Sequence, residues 1–99
     1  MNKQKIANLL GLAQRAGKII SGEEMVVKAI QDRKVKLVFL AHDASPNLTK
    51  KIQDKSHYYQ VEVITVFSPL ELSIVVGKSR KVLAVTDAGF TKKMRSLME

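Results

Sequence analysis

Ser21-Gly22-Glu23-Glu24-Met25-Val26-Val27-Lys28 sets two carboxylates and, one helical turn on, a lysine at the head of a predicted helix. A helix start usually attracts anions, because its unpaired N–H groups and its dipole point outward. Here it carries acids, and Lys28 stands on nearly the same face as Glu24. An acceptor beside a cation on a stiff element suits a nucleobase edge that presents a donor next to an acceptor. Ser21 and Glu24 also fit S-x-x-E, a capping box with Ser21 as N-cap and the Glu24 carboxylate turned back to the Ser21 N–H. Base contact and capping both stay open for Glu24. Glu23 is the less committed acid, either a second acceptor or a first-turn acid favoured by the dipole. Lys28 is the leading contact residue; its plainer role is a solvated surface lysine.

A second set of groups is Lys78-Ser79-Arg80-Lys81, a loop of almost pure positive charge suited to phosphate. Gly77-Lys78-Ser79 echoes the tail of a nucleotide phosphate loop, but it lacks the upstream glycine and follows a helix where that motif precedes one. Arg15 and Lys18 lead into the strand before Ser21 and are candidate flanking phosphate contacts. Lys50, Lys51 and Lys55, like Lys92, Lys93 and Arg95, fall on outer helix faces and read as solvated. No catalytic constellation assembles. His42 and His57 are the only histidines. His42-Asp43 at a strand end is an acid–base pair at most, and a turn is the simpler reading. His57 reads as a positive helix end. The acids lack metal-ligand spacing, so neither metal nor cofactor is expected.

Charge narrows the partner. Lys and Arg number 17 against 9 Asp and Glu, a formal net charge of +8 with pI about 9.9. That balance in a chain of 99 residues points to nucleic acid. No stretch is long and apolar enough to span a membrane, and no helix pairs an aromatic face with a dense basic one. The basic N-terminus runs into an amphipathic stretch, which argues against a secretory signal. With no cysteine there is no disulfide or thiolate chemistry, which fits a cytoplasmic setting.

The elements that must position these groups alternate. Ile6, Leu9, Leu10 and Ala13 recur at helical spacing over about 2–16, and Gly17 ends that helix. A short strand is expected at 18–20, then the Ser21-capped helix with Val26, Ala29 and Ile30 inward. Val35–Ala41 is almost wholly apolar, as a strand covered on both faces would be. Ser45-Pro46 starts a helix to about His57. Val61–Phe67 reads as a strand, Ser68-Pro69-Leu70-Glu71 as a second capping box, and Gly77 as its helix stop. A last strand at 82–86 leads through Asp87, a predicted cap, into a helix carrying Phe90, Met94, Leu97 and Met98. The order α-β-α-β-α-β-α-β-α in one domain over 1–99 implies crossovers and helices on both faces of a mostly parallel or mixed sheet.

Gly22-x-x-x-x-x-Lys28-Ala29-Ile30 followed by Val35–Pro46 resembles the kink-turn RNA-binding ribosomal-protein superfamily. Gly11–Lys18, the Ser21–Glu24 helix start and Gly77–Val82 are similar to its short bacterial members. The resemblance runs from Lys5 to Phe90, and it rests on the order and spacing of loose motifs. It implies a three-layer α/β/α sandwich around a small mixed four-stranded sheet. It also implies one binding surface, built from the helix start (Gly22 to Lys28) and the loop before the last strand (Lys78 to Lys81). The ligand implied is sharply bent RNA with tandem sheared G·A pairs. Such a pair leaves guanine's N1–H and O6 exposed to an acceptor and a lysine, in the kind of non-helical region proteins read. Where the family often has Asn-Glu or Lys-Gln, this chain has Glu24-Met25, and a thioether is a poor partner for a guanine edge. The expectation is thus a non-catalytic, monomeric protein that binds structured RNA, ribosomal RNA or another kink-turn RNA, on the ribosome or beside it. The alternative is a protein-interaction module of the translation machinery that lacks kink-turn recognition.

Overall fold

The computed structural model describes residues 1–99. In chain order the elements are α1 (Lys3–Arg15), β1 (Ile19–Ser21), α2 (Glu23–Gln31), β2 (Leu37–Leu40), α3 (Pro46–Tyr58), β3 (Glu62–Ile64), α4 (Pro69–Val76), β4 (Val82–Val85) and α5 (Ala88–Met98). The four-stranded sheet is ordered β1-β4-β2-β3. Only β2 and β3 are parallel; β4 runs antiparallel to both β1 and β2. The sheet is therefore mixed, with the two central strands buried at every position.

Strand alternation splits the core in two. Leu37, Phe39, Leu83 and Val85 pack under α1, α4 and α5, whereas Val38, Leu40, Val82 and Ala84 pack under α2 and α3. This makes the expected α/β/α sandwich, because side chains i and i+2 of a strand share a face. Phe39 and Phe67 anchor the first layer, ring centroids 5.7 Å apart.

Helix ends follow local chemistry closely. Ser45 Oγ accepts from the Leu48 N–H, Asp87 from the Phe90 N–H, and Ser68 and Glu71 form a complete reciprocal capping box. Gly77 closes α4 in the left-handed conformation, φ +75°. Strands are shorter than the apolar runs that contain them. Past the assigned ends the pairing persists only as single bonds in register, Ala41 N–H donating to Lys81 O and His42 N–H to Phe67 O. β1 is displaced by one residue toward Ser21, because the Lys18 N–H is drawn back to Ala13 O in the turn around Gly17.

The α4 box gives one pH prediction. The Ser68 N–H donates to Glu71 Oε1, and Lys3 Nζ lies 3.1 Å from the same oxygen. These contacts, the backbone bond first, hold the Glu71 carboxyl below its ordinary value of 4.5. A depressed folded-state value stabilises the fold above the unfolded value, and that contribution is lost as pH falls through the folded one. Glu71→Gln should therefore flatten the fall in unfolding free energy between about pH 5 and pH 3 in denaturant titrations. An unchanged acid limb would show that Glu71 does not contribute to it.

Candidate nucleic-acid interface

The turn into α2 is not the one its S-x-x-E motif predicts. Ser21 is the last residue of β1, paired with Leu83 across the ladder. Gly22 donates its N–H to Val82 O at 3.0 Å and takes φ +95°, ψ 150°. That backbone region is essentially closed to residues with a Cβ. Gly22 is therefore the N-cap, without a side-chain hydrogen bond, and the helix starts at Glu23. The capping box between Ser21 and Glu24 does not form, because sheet pairing fixes Ser21 one residue too early. This correction frees the Glu24 carboxylate, which is exposed and makes no hydrogen bond or ion pair. Glu23 is the committed acid instead: its Oε2 lies 3.0 Å from Lys51 Nζ on α3.

Lys28 sits one turn along α2 on the Glu24 side. Its side chain is 75% exposed, with Asp32 Oδ2 a distant 4.0 Å away. Met25, between them in sequence, is 60% exposed. The first turn of α2 thus shows water an acid, a thioether and a nearby amine.

The loop Lys78–Lys81 comes to the same end of the sheet. Lys81 O accepts from Ala41 N–H, which places the loop where β2 ends and β4 begins. Ser73 Oγ of α4 accepts from the Arg80 N–H at 3.1 Å and donates to Arg80 O at 3.3 Å. The Arg80 side chain then lies across Gly22: a Cβ built there would be 3.6 Å from Nε and 3.9 Å from Cδ. Its Nη1 donates to Ser79 O at 2.8 Å, while the buried Nε has no partner. Helix start and loop are thereby held as one surface, with the Arg80 guanidinium as the joint. Lys78, Ser79 and Lys81 are exposed around it.

Two predicted site residues lie apart from the Gly22–Arg80 joint, Lys18 remote from it and Arg15 in a cleft that adjoins the loop through Ile74. Lys18 is at the opposite end of β1, its carbonyl accepting from Thr86 N–H just beyond Val85. Arg15 lines a cleft between α1 and α4 together with Leu12, Ile74 and Val75. His42 and Asp43 are exposed turn residues.

The structure also brings in residues that the motifs did not single out. Leu70 and Ile74 are 69% and 72% exposed, and they share a shallow depression with Lys78 and Ser79. The signal was present in α4 itself. Between Pro69 and Val76 only Glu71 and Ser73 are polar, too few to give the helix a hydrophilic face.

Among known proteins, an RNA-binding protein YlxQ of Enterococcus faecium is 50% identical over 98 residues, covering 99% of this chain and 95% of that one. A protein of the same name from Bacillus subtilis (strain 168) is 49% identical over 92 residues, 92% of each chain. A solved structure from Bacillus halodurans C, of a protein with unknown function, superposes with a TM-score of 0.89. It has 44% identity and covers 95% of this chain and 96% of that one. The Giardia lamblia 15.5kD RNA binding protein shares the fold at a TM-score of 0.84 with 16% identity, over 96% of this chain and 82% of that one. The sequence model that matches residues 4–95 agrees with these relatives, and the chain belongs to the ribosomal protein L7Ae/L30e/S12e/Gadd45 family.

Proposed function

We propose that this chain is a non-catalytic, cytoplasmic RNA-binding protein that acts as a monomer and clasps a kink-turn-like bend in ribosomal or other structured RNA. The observation that carries the proposal is the packing of Arg80 on Gly22, which presents the α2 start and the basic loop as a single face. The names of the relatives support RNA as the ligand. In this mechanism the free Glu24 carboxylate accepts from guanine N1–H at a sheared pair while Lys28 donates to O6. Ser79, Lys78, Arg80 and Lys81 follow the phosphates across the bend, with Ser21 and Gly22 as the close backbone approach. Leu70 and Ile74 supply apolar contact for a base that has left the stack. Because both patches are fixed before binding, ordering costs little and the binding free energy stabilises the bent RNA.

The test is a gel-shift titration against a kink-turn RNA and an unbent duplex at matched salt. The bent RNA should bind more tightly, and Lys28→Ala should weaken it by roughly 1–3 kcal/mol if the amine reads a base. An unchanged Lys28→Ala affinity would remove the central contact. The exposed Met25, where a polar base reader would be expected, favours a second reading: a protein-docking module of the translation machinery. Equal, weak binding to both RNAs would support it.

A further inference from the structure

The end of the sheet remote from Gly22 carries a second concentration of positive charge. Here β1 begins, β4 ends and α2 runs out, with Ile19 and Leu37 both in register with Val85. A half-open depression of about 390 Å³ lies over Val85 and the first turn of α5. Arg33, Lys34, Lys36, Lys92 and Arg95 line it, and Lys18 adjoins it through its bond to Thr86. Of the acids here, Asp87 lines the depression itself and caps α5, while Glu62 is paired with Arg95. Asp87 Oδ2 accepts from Phe90 N–H at 2.8 Å, and Glu62 Oε1 lies 3.1 Å from Arg95 Nε. Lys18, Arg33, Lys34, Lys36 and Lys92 have no carboxylate within ion-pair distance. Crowding unpaired cations costs stability through self-repulsion unless an anion relieves it.

Backbone geometry at Arg33 points the same way. Helices α1, α2 and α3 close with the same pair of hydrogen bonds: Lys18 and Gly17 to Ala13 and Gln14, Lys34 and Arg33 to Ala29 and Ile30, Val61 and Gln60 to Ser56 and His57. The penultimate residue is left-handed in each, φ +72°, +58° and +59°. Glycine is the favoured residue there, and α1 has it. α2 has an arginine, stacked 5.1 Å from the centre of the Tyr59 ring on the rim of this cluster. Gln60 takes the same conformation, so what sets Arg33 apart is the Tyr59 contact that holds its guanidinium at this pole.

We propose that this depression is a second phosphate site, which takes the backbone of a separate RNA segment while the α2 face holds the bend. The cluster suits a phosphodiester chain. Its cations are spread around a rim, and no aromatic side chain lines it to stack a base, so it positions without reading sequence. The two sites lie at opposite poles of a molecule measuring 29 × 25 × 25 Å, so both can be filled at once. One chain then ties two RNA segments together. The inference needs only that RNA is the ligand, and it stands apart from kink-turn preference.

The experiment saturates the full chain with a labelled kink-turn RNA at low salt, then titrates a short unkinked duplex carrying a second label. Energy transfer between the labels is expected, falling steeply with salt. Lys34→Glu/Lys36→Glu/Lys92→Glu should weaken duplex capture about tenfold or more and leave kink-turn affinity, compared at about 0.15 M salt where distant charges are screened, within about twofold. Arg33→Gly places the preferred residue in a left-handed turn, so it folds; it should weaken capture by a smaller factor. If the bent RNA is not preferred, the duplex alone should titrate to two per chain and the triple variant to one. No transfer at low salt, or equal capture by the triple variant, overturns the proposal. So does tripolyphosphate binding at this pole in a chain that captures no duplex.

Discussion

Arg80→Glu/Lys81→Glu should weaken binding to every structured RNA alike, by roughly 3 kcal/mol or more at low salt. A charge-assisted hydrogen bond contributes about 1.5–3 kcal/mol, and two are removed. Each new carboxylate also repels the phosphate that its predecessor attracted. Counterion release fixes a second signature: the slope of log K against log salt should shrink by about one for each phosphate left without its cation, about two in all. The two residues do not contribute in the same way. Lys81 is exposed and acts as a point charge beside β4. Arg80 is wedged between Ser73 and Gly22, with Nη1 already donating to Ser79 O. Its planar fork presents its remaining donors in a fixed direction, which a lysine does not reproduce. Arg80→Lys should therefore keep most of the salt slope yet weaken binding to each RNA by a smaller, similar factor. A double reversal that changed sequence preference and left the slope intact would show that the loop does not follow phosphates.

The contrast between two S-x-x-E motifs shows what the sequence discloses and what it withholds. At Ser68 the motif becomes a full capping box. Pro69 follows it, fixing the helical φ at N1 and lacking the N–H a ladder would require, so nothing non-local competes. At Ser21 the same four-residue signal fails. The residue is claimed by Leu83 across the sheet, and Gly22 supplies a turn that only glycine makes easily. Caps and stops at Ser45, Gly77 and Asp87 were legible for the same reason as Ser68: they are settled within one turn of chain. The alternation of Val38 and Leu40 against Leu37 and Phe39 was legible only as burial on both faces; which helices cover each face depends on topology. Strand ends were not legible, because pairing past Leu40 and Ile64 thins to single bonds, Ala41 to Lys81 and His42 to Phe67, whose partners come from distant segments.

The site divides similarly. Each half was visible as a motif, but nothing local joins Gly22 to Arg80, and only family resemblance placed the halves together. Sequence adjacency did not predict where Lys18 lies. β1 has three residues, and at about 3.3 Å each they carry Lys18 roughly 10 Å from Ser21, to the far pole. The cationic depression there draws residues from the end of α2, the approach to β2, and α5, so no window of sequence contains it.

Gly22→Ala tests the joint itself. The change adds one methyl, and the space for it exists, since the nearest Arg80 atom would lie at an ordinary contact distance of 3.6 Å. The cost is conformational. At φ +95°, ψ 150° an alanine pays about 1–3 kcal/mol, read as a drop in unfolding free energy. Part of that strain can be relieved if the backbone between Ser21 and Glu23 rotates, but the rotation pulls the Gly22 N–H from Val82 O and tilts the first turn of α2 away from Arg80. Kink-turn affinity should fall with it, by about tenfold (~1.4 kcal/mol), although every side chain that touches RNA is retained. Gly17→Ala is the matched control. Gly17 has φ +72° and open space around its Cβ position, and it lies at the other end of β1. It should lose about 1–2 kcal/mol of stability and keep its kink-turn affinity. Equal affinity losses from the two changes would mean that global destabilisation weakens binding, and that the Gly22–Arg80 contact does not organise the surface. Loss at Gly22 alone would make a backbone angle, more than any single charge, the feature that lets helix and loop act on one ligand.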